Sequence, residues 1–238
     1  MKARVLCGAG ALTAGAVWCA PGAAVHFPPL AAALRVPLAL PELGGVALTF
    51  DDGPHPEGTP AVLDALDAGS ARATFFLVAE QVERYPELAA ETARRGHEVA
   101  IHGHRHRNQM RLSPPAFAAD LARAQAIVGE ARGAPAWLYR PPYGIFTPAG
   151  LAAVRRAGLK PLLWSKWGLD WRARLSPAQL AKISTRGAGP GDVILLHDAD
   201  WYSRPGSHRV TAAAVAPILA ELERRGLKPV TPSRDTLG

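Results

Sequence analysis

The sequence predicts an α/β fold: one domain of parallel strands closed into a seven-stranded barrel, incomplete or distorted. Three observations predict it. Seven short apolar runs are continuous rather than alternating, as strands covered on both faces tend to be. These runs alternate with helix-start signals along most of the 238 residues, the order that βα units produce. Five of them lead straight into titratable residues, which a parallel barrel gathers on the C-terminal rim where its sites form.

The N-terminus reads separately. Lys2 and Arg4 precede a run without charge from Val5 to Leu34, the pattern of a secretory n-region and h-region. Gly22-Ala23-Ala24 offers small residues for cleavage, and Val5 to Ala24 also approaches the roughly 20 residues that span a bilayer. Residues 1–24 are therefore expected as a signal peptide or membrane anchor. The positive end would stay cytoplasmic and the rest of the chain would lie on the extracytoplasmic side. A Pro-containing linker is expected over 25–43 and the folded domain over 44–238.

Both cysteines, Cys7 and Cys19, fall in the leader. The domain thus has no disulfide framework and no thiolate metal site, and any metal must be held by His, Asp or Glu. With 48% apolar and 20% charged residues, the composition argues against disorder. The net charge of +7 would attract anionic partners. The basic residues, however, are scattered through helical patterns (Arg94, Arg95, Arg155, Arg156, Arg224, Arg225). They form no aromatic-interleaved stripe, so a nucleic-acid partner is not expected. No motif argues for a dimer, and a monomer is expected.

The expected strands are Val46–Phe50, Thr74–Val78, Glu98–Ile101, Trp137–Arg140, Pro161–Trp164, Val193–His197 and Pro229–Thr231. Ser113-Pro114, Thr147-Pro148 and Ser176-Pro177 each put a hydroxyl N-cap before a proline whose missing N–H costs nothing at the first helical position. Gly96, Gly158 and Gly226 suit left-handed C-caps.

The chemistry follows the strands. Asp51-Asp52 closes the first, His102 the third and Arg140 the fourth; the fifth leads to Asp170-Trp171, and His197-Asp198 closes the sixth. His102 and His106 are four residues apart. On a helical turn that spacing puts both imidazoles on one face, a common way to chelate a divalent ion. Asp51 or Asp52 would complete a three-ligand site with one open position, and the other carboxylate could serve as general base. Arg140 is its natural ion-pair partner. His197 could act as general acid, oriented by Asp170, which would raise its pKa. Trp167, Trp171, Trp201 and Tyr202 would stand near the rim, where aromatic faces suit stacking on sugar rings.

Five motifs carry a family resemblance. Thr49-Phe50-Asp51-Asp52-Gly53-Pro54, His102-Gly103-His104-Arg105-His106, Arg140-Pro141-Pro142-Tyr143-Gly144, Asp170-Trp171 and Leu195-Leu196-His197-Asp198 occur in this order. Over about residues 44–231 the chain resembles the polysaccharide deacetylases of the NodB-homology type, carbohydrate esterase family 4. The resemblance implies a distorted (β/α)7 barrel and an Asp-His-His metal site, usually zinc and sometimes cobalt or manganese. It implies Asp51 as general base, Asp52, His102 and His106 as ligands, and Arg140 positioning Asp51. The backbone N–H of Tyr143 would hold the oxyanion, Asp170 would tune His197 as the acid, and Trp171 and Leu195 would line the acetyl pocket. The chain departs from the family at Gly103, where Ser or Thr is frequent, and at Trp167, where an Asp is common. His104, between the two ligands, is expected to face away from them.

The implied reaction is metal-dependent removal of N-acetyl groups from an N-acetylglucosamine glycan, peptidoglycan or chitin-like, with release of acetate. Alternatives are deacylation of a lipid-linked aminosugar, O-acetyl ester hydrolysis, and a non-catalytic glycan-binding role in the envelope.

Overall fold

A computed structural model describes residues 20–171 and 175–237. Its centre is one sheet of seven parallel strands: β1 (Ala47–Asp51), β2 (Thr74–Leu77), β3 (Glu98–Ile101), β4 (Leu138–Tyr139), β5 (Lys160–Pro161), β6 (Lys166–Trp167) and β7 (Val193–His197). The order across the sheet is β5-β4-β3-β2-β1-β7-β6. β5 and β6 are consecutive in the chain yet lie at opposite edges. The link Leu162–Ser165 therefore has to cross the gap, and the sheet curls into the distorted (β/α)7 barrel expected from sequence. β1 and β2 are buried at every position, with Phe50 and Phe75 stacked at 5.1 Å.

Two strands differ from expectation. Pro161–Trp164 is replaced by the shorter β5 and by β6, a two-residue strand with no apolar run to announce it. Pro229–Thr231 makes only a single parallel bridge, Val46 to Pro229; Pro229 and Pro232 have no N–H to extend a ladder.

The helices are α1 (Pro28–Ala33), α2 (Gly58–Ala68), α3 (Ala79–Val82), α4 (Pro86–Arg94), α5 (Pro114–Arg132), α6 (Pro148–Arg156), α7 (Pro177–Ser184) and α8 (Ser207–Arg224). The three hydroxyl caps form as expected. Ser113 accepts from Ala116 N–H, Thr147 from Gly150 N–H, and Ser176 makes a full capping box with Gln179, each contributing about 1 kcal/mol.

Most of the expected leader, both cysteines included, lies outside the described residues. Its last part forms a 3-10 turn, Ala20–His26. Residues 25–43, expected as a linker, are seated against the barrel: Val25, Ala31, Val36 and Leu40 are buried in the core together with Ala24. Leu163 N–H donates to Pro37 and Leu40 N–H to Gly191, so this stretch covers the gap between the sheet edges. Among the described residues no helix is long and apolar enough to cross a membrane.

Candidate active site

Parallel register sets the level of the site. Asp51 lies opposite His197, and Ile101 opposite Tyr139, so His102 and Arg140 leave the sheet side by side. All the strands point the same way, and residues far apart in sequence converge on one rim.

Asp51 is 2% exposed. Arg140 Nη1 donates to its Oδ1 at 2.7 Å and to Thr49 Oγ1 at 2.8 Å. The rest of the guanidinium faces the gap between the sheet edges, where Nε donates to Leu162 O (3.1 Å) and Nη2 to Leu163 O (2.9 Å). Cζ sits 3.9 Å above the Phe76 ring. A fully buried cation is tolerated only when so paired. Burial pushes the Asp51 carboxyl above its ordinary pKa, with Arg140 pulling the other way, which leaves a base stronger than a solvated carboxylate.

Asp52 takes a left-handed backbone (φ 78°). This conformation costs a non-glycine residue about 1–3 kcal/mol and tends to occur at functional sites. It turns the carboxylate away from Asp51 toward the histidines. His106 Nε2 is 3.3 Å and His102 Nε2 3.5 Å from Asp52 Oδ1. Asp52 Oδ1 is buried without a hydrogen-bond partner. His102 Nδ1 lies 2.9 Å from Arg140 O, so Nδ1 carries the proton and the Nε2 lone pair faces the cluster. Burial, with Arg140 for His102 and His102 for His106, lowers both imidazoles to about 3, so both are neutral and able to donate. Burial also raises Asp52 to about 7, outweighing the opposing pull of His197, the response of a carboxylate held out of water. An orphaned buried carboxylate oxygen facing two neutral imidazole nitrogens fits a divalent cation.

One expectation is corrected here. His102 and His106 do not share a helical turn; residues 102–108 form a bent loop with Gly103 at φ +88°. The rings still approach to 5.4 Å. A Ser or Thr at Gly103 would be strained in that conformation. His104 faces away, toward Glu83 Oε2 at 3.5 Å, as expected.

On the opposite wall His197 Nδ1 is 3.0 Å from Asp170 Oδ1, and Asp170 Oδ2 accepts from His197 N–H (2.7 Å) and from Thr211 Oγ1 (2.9 Å). Burial alone would lower the His197 pKa. The Asp170 carboxylate, by charge and hydrogen bond, outweighs it and, with Asp52 and Asp51, lifts the group to about 10.

Asp51, Asp52, His102, His106 and His197 line a cavity of about 230 Å³ together with Tyr143, Trp171 and Leu195, while Arg140 and Asp170 stand behind its wall. Tyr143 stands on the rim in a left-handed backbone (φ 62°, ψ 6°), its ring edge-on to His106 at 4.5 Å. Trp171 is edge-on to His197 at 5.0 Å, and Leu195 is 3% exposed. Trp167 lines the cavity and stacks on His26 at 5.5 Å, so the N-terminal turn reaches the rim. Tyr202 stacks on His106 at 4.3 Å. Trp201 turns away and donates to Pro54 O.

Sequence reasoning gave no role to Thr49, Thr211, Trp164 or Asp198. Thr49 and Thr211 brace Arg140 and Asp170, and Trp164 lines the cavity. Asp198 is fully buried, takes a hydrogen bond from Thr59, and packs where a Cβ on Gly53 would fall 2.4 Å from its Oδ2. Asp198 stands in a quoted motif, which was its only signal.

A second cluster, His55, Asp200 and His208, also brings three ligand atoms within 4.8 Å. His55 Nδ1 accepts the N–H groups of Glu57 and Gly58, so its Nε2 bears the proton and faces Asp200 Oδ1 at 3.2 Å. A metal would have to displace that proton; the cluster instead ties the loop that carries Tyr202 to α2.

Residues 42–162 match the family model described as polysaccharide deacetylase. The chain belongs to the polysaccharide deacetylase family. A peptidoglycan-N-acetylglucosamine deacetylase of Bacillus cereus is 35% identical over 191 residues, 79% of this chain and 86% of that protein. A chitooligosaccharide deacetylase of Bradyrhizobium sp. is 35% identical over 194 residues, 77% of this chain and 86% of the relative. Among solved structures, a family 4 carbohydrate esterase from Streptomyces lividans in complex with acetate superposes with a TM-score of 0.72 at 30% identity, covering 81% of this chain and 95% of that one. The polysaccharide deacetylase activity expected from the motifs thus rests on relatives that span most of the chain.

Proposed function

We propose that this polysaccharide deacetylase removes N-acetyl groups from N-acetylglucosamine units of peptidoglycan or a chitin-like glycan, using a divalent cation, zinc foremost, held by Asp52, His102 and His106. The observation that carries this reading is the buried, unpartnered Asp52 Oδ1 between two neutral imidazole nitrogens, with a carboxylate–arginine pair on one side and a histidine–carboxylate pair on the other. When bound, the cation polarises the acetamide carbonyl and acidifies a water.

The chain's own residues supply the proton transfers. Arg140 occupies one oxygen of Asp51, and the other is free to take the proton of the attacking water. The Tyr143 N–H stabilises the oxyanion as charge develops. His197, held in one tautomer by Asp170, gives its proton to the departing nitrogen, releasing acetate and a free amine. Trp171 and Leu195 hold the acetyl methyl. Residues 1–24 act as signal or anchor and put the domain, with the 25–43 stretch seated on it, on the extracytoplasmic side, where such glycans are found; the domain works as a monomer.

Acetate release from N-acetylglucosamine oligomers by the full chain tests this. EDTA should abolish release and zinc or cobalt should restore it; release that survives exhaustive chelation would overturn the metal assignment. The acid has its own test. With His197 raised to about 10, it stays protonated through neutral pH, and activity should fall only as pH rises toward that value. Asp170→Asn removes the carboxylate that lifts it, so the alkaline limb of the kcat/KM profile should move down by about two pH units or more. A limb that stays in place would remove His197 from the role of acid.

A further inference from the structure

A second hollow, of about 580 Å³, adjoins the catalytic cavity and shares His106 and Tyr143 with it. A glycan with one acetamide at the catalytic residues would therefore place its neighbouring sugar there.

The charge on this wall is one-sided. Arg107 and Arg111 line it, and no carboxylate does. Arg107 is fixed from behind: its Nη2 donates at 2.5 Å to buried Asp120, which also accepts the His104 N–H. One donor is used by that bond, and the remaining guanidinium N–H groups are available to the hollow. Arg111 is exposed, with no ion pair among the described residues. Asn108 Oδ1 already accepts the Met110 N–H, which leaves its amide N–H groups to donate. Leu112 and Ile145 complete the lining with an apolar face.

Donors and fixed positive charge beside an apolar wall suit an anion on a short alkyl arm. We propose that this hollow binds a carboxylate carried on an alkyl ether of the sugar next to the one deacetylated, so that the preferred substrate is an acidic amino-sugar glycan rather than a neutral one. The proposal rests on the deacetylase reading above.

Three tetrasaccharides test it with the full chain: neutral N-acetylglucosamine tetramer, an alternating N-acetylglucosamine–N-acetylmuramic acid tetramer, and the latter with its carboxylates methyl-esterified. Wild type should turn over the acidic tetramer with kcat/KM about tenfold above the other two, the effect expected of one charge-assisted contact. Arg111→Gln should remove the preference, Arg111→Glu should invert it, and Arg111→Lys should keep most of it, with turnover of the acidic tetramer changing far more than that of the neutral one. Equal effects of Arg111 substitution on acidic and neutral substrates, or none on either, would overturn the proposal. Binding to the Asp51→Asn protein by calorimetry separates the two readings. If no tetramer releases acetate, the deacetylase reading fails, and the ratio of acidic to neutral Kd still decides the hollow; a ratio near one rejects it.

Discussion

Asp51→Asn and Asp52→Asn should both abolish acetate release, but for different reasons that metal analysis separates. Asp51→Asn keeps the shape and still accepts from Arg140, but it has no basic oxygen. Its kcat should fall by about 10²–10⁴-fold, the contribution of a positioned general base. Its zinc content should stay at the wild-type level, because Asp52, His102 and His106 are untouched. Asp52→Asn should lose zinc affinity first: the anionic oxygen that His102 and His106 face at 3.5 and 3.3 Å becomes a neutral amide, and turnover falls as the metal leaves. Metal content by atomic emission beside kcat is the measurement. If Asp51→Asn also emptied the site, the division of labour between the two carboxylates would be wrong.

Arg140→Met should be the most destabilising single change at the site. The side chain is 0% exposed and serves four acceptors: Asp51, Thr49 and the carbonyls of Leu162 and Leu163. Methionine fills much of the volume but satisfies none of them. Asp51 is left as an uncompensated buried carboxylate, a cost of about 3–5 kcal/mol when one partner of a buried pair is removed. Urea unfolding should show this loss, with kcat falling alongside it. Arg140→Lys restores the charge without the planar fork and should lie between. A loss below about 1 kcal/mol in Arg140→Met would mean that the guanidinium is not what satisfies the gap.

Much of this was legible in the sequence, and the misses have physical causes. Short, continuous apolar runs ending in Asp51, His102, Arg140 and His197 announced both the strands and the rim, because burial on two faces leaves little choice of residue type until the strand ends. β6 was invisible because Lys166-Trp167 is too short to show a period. The stretch 25–43 read as a linker because nothing in its composition distinguishes apolar residues that pack on a barrel from those that merely continue a leader. The histidine spacing gave the right pair on the wrong backbone: four residues also separate two side chains on a bent loop once a glycine takes positive φ, here Gly103. Thr49 and Thr211 were passed over because β-branched residues are ordinary in strands, and a helical threonine gives no sign of the carboxylate its hydroxyl will meet.

The gap between the sheet edges bears on how such a protein could change over evolutionary time. The link Leu162–Ser165 turns two of its carbonyls inward, and Arg140 caps both. A descendant that abandoned catalysis could drift freely at His197, whose partner Asp170 also braces backbone and Thr211 and so would remain satisfied in part. It could not drift at Arg140 without opening the sheet. An inactive descendant should therefore keep Arg140 long after losing His197, and a retained arginine alone is no sign of surviving activity.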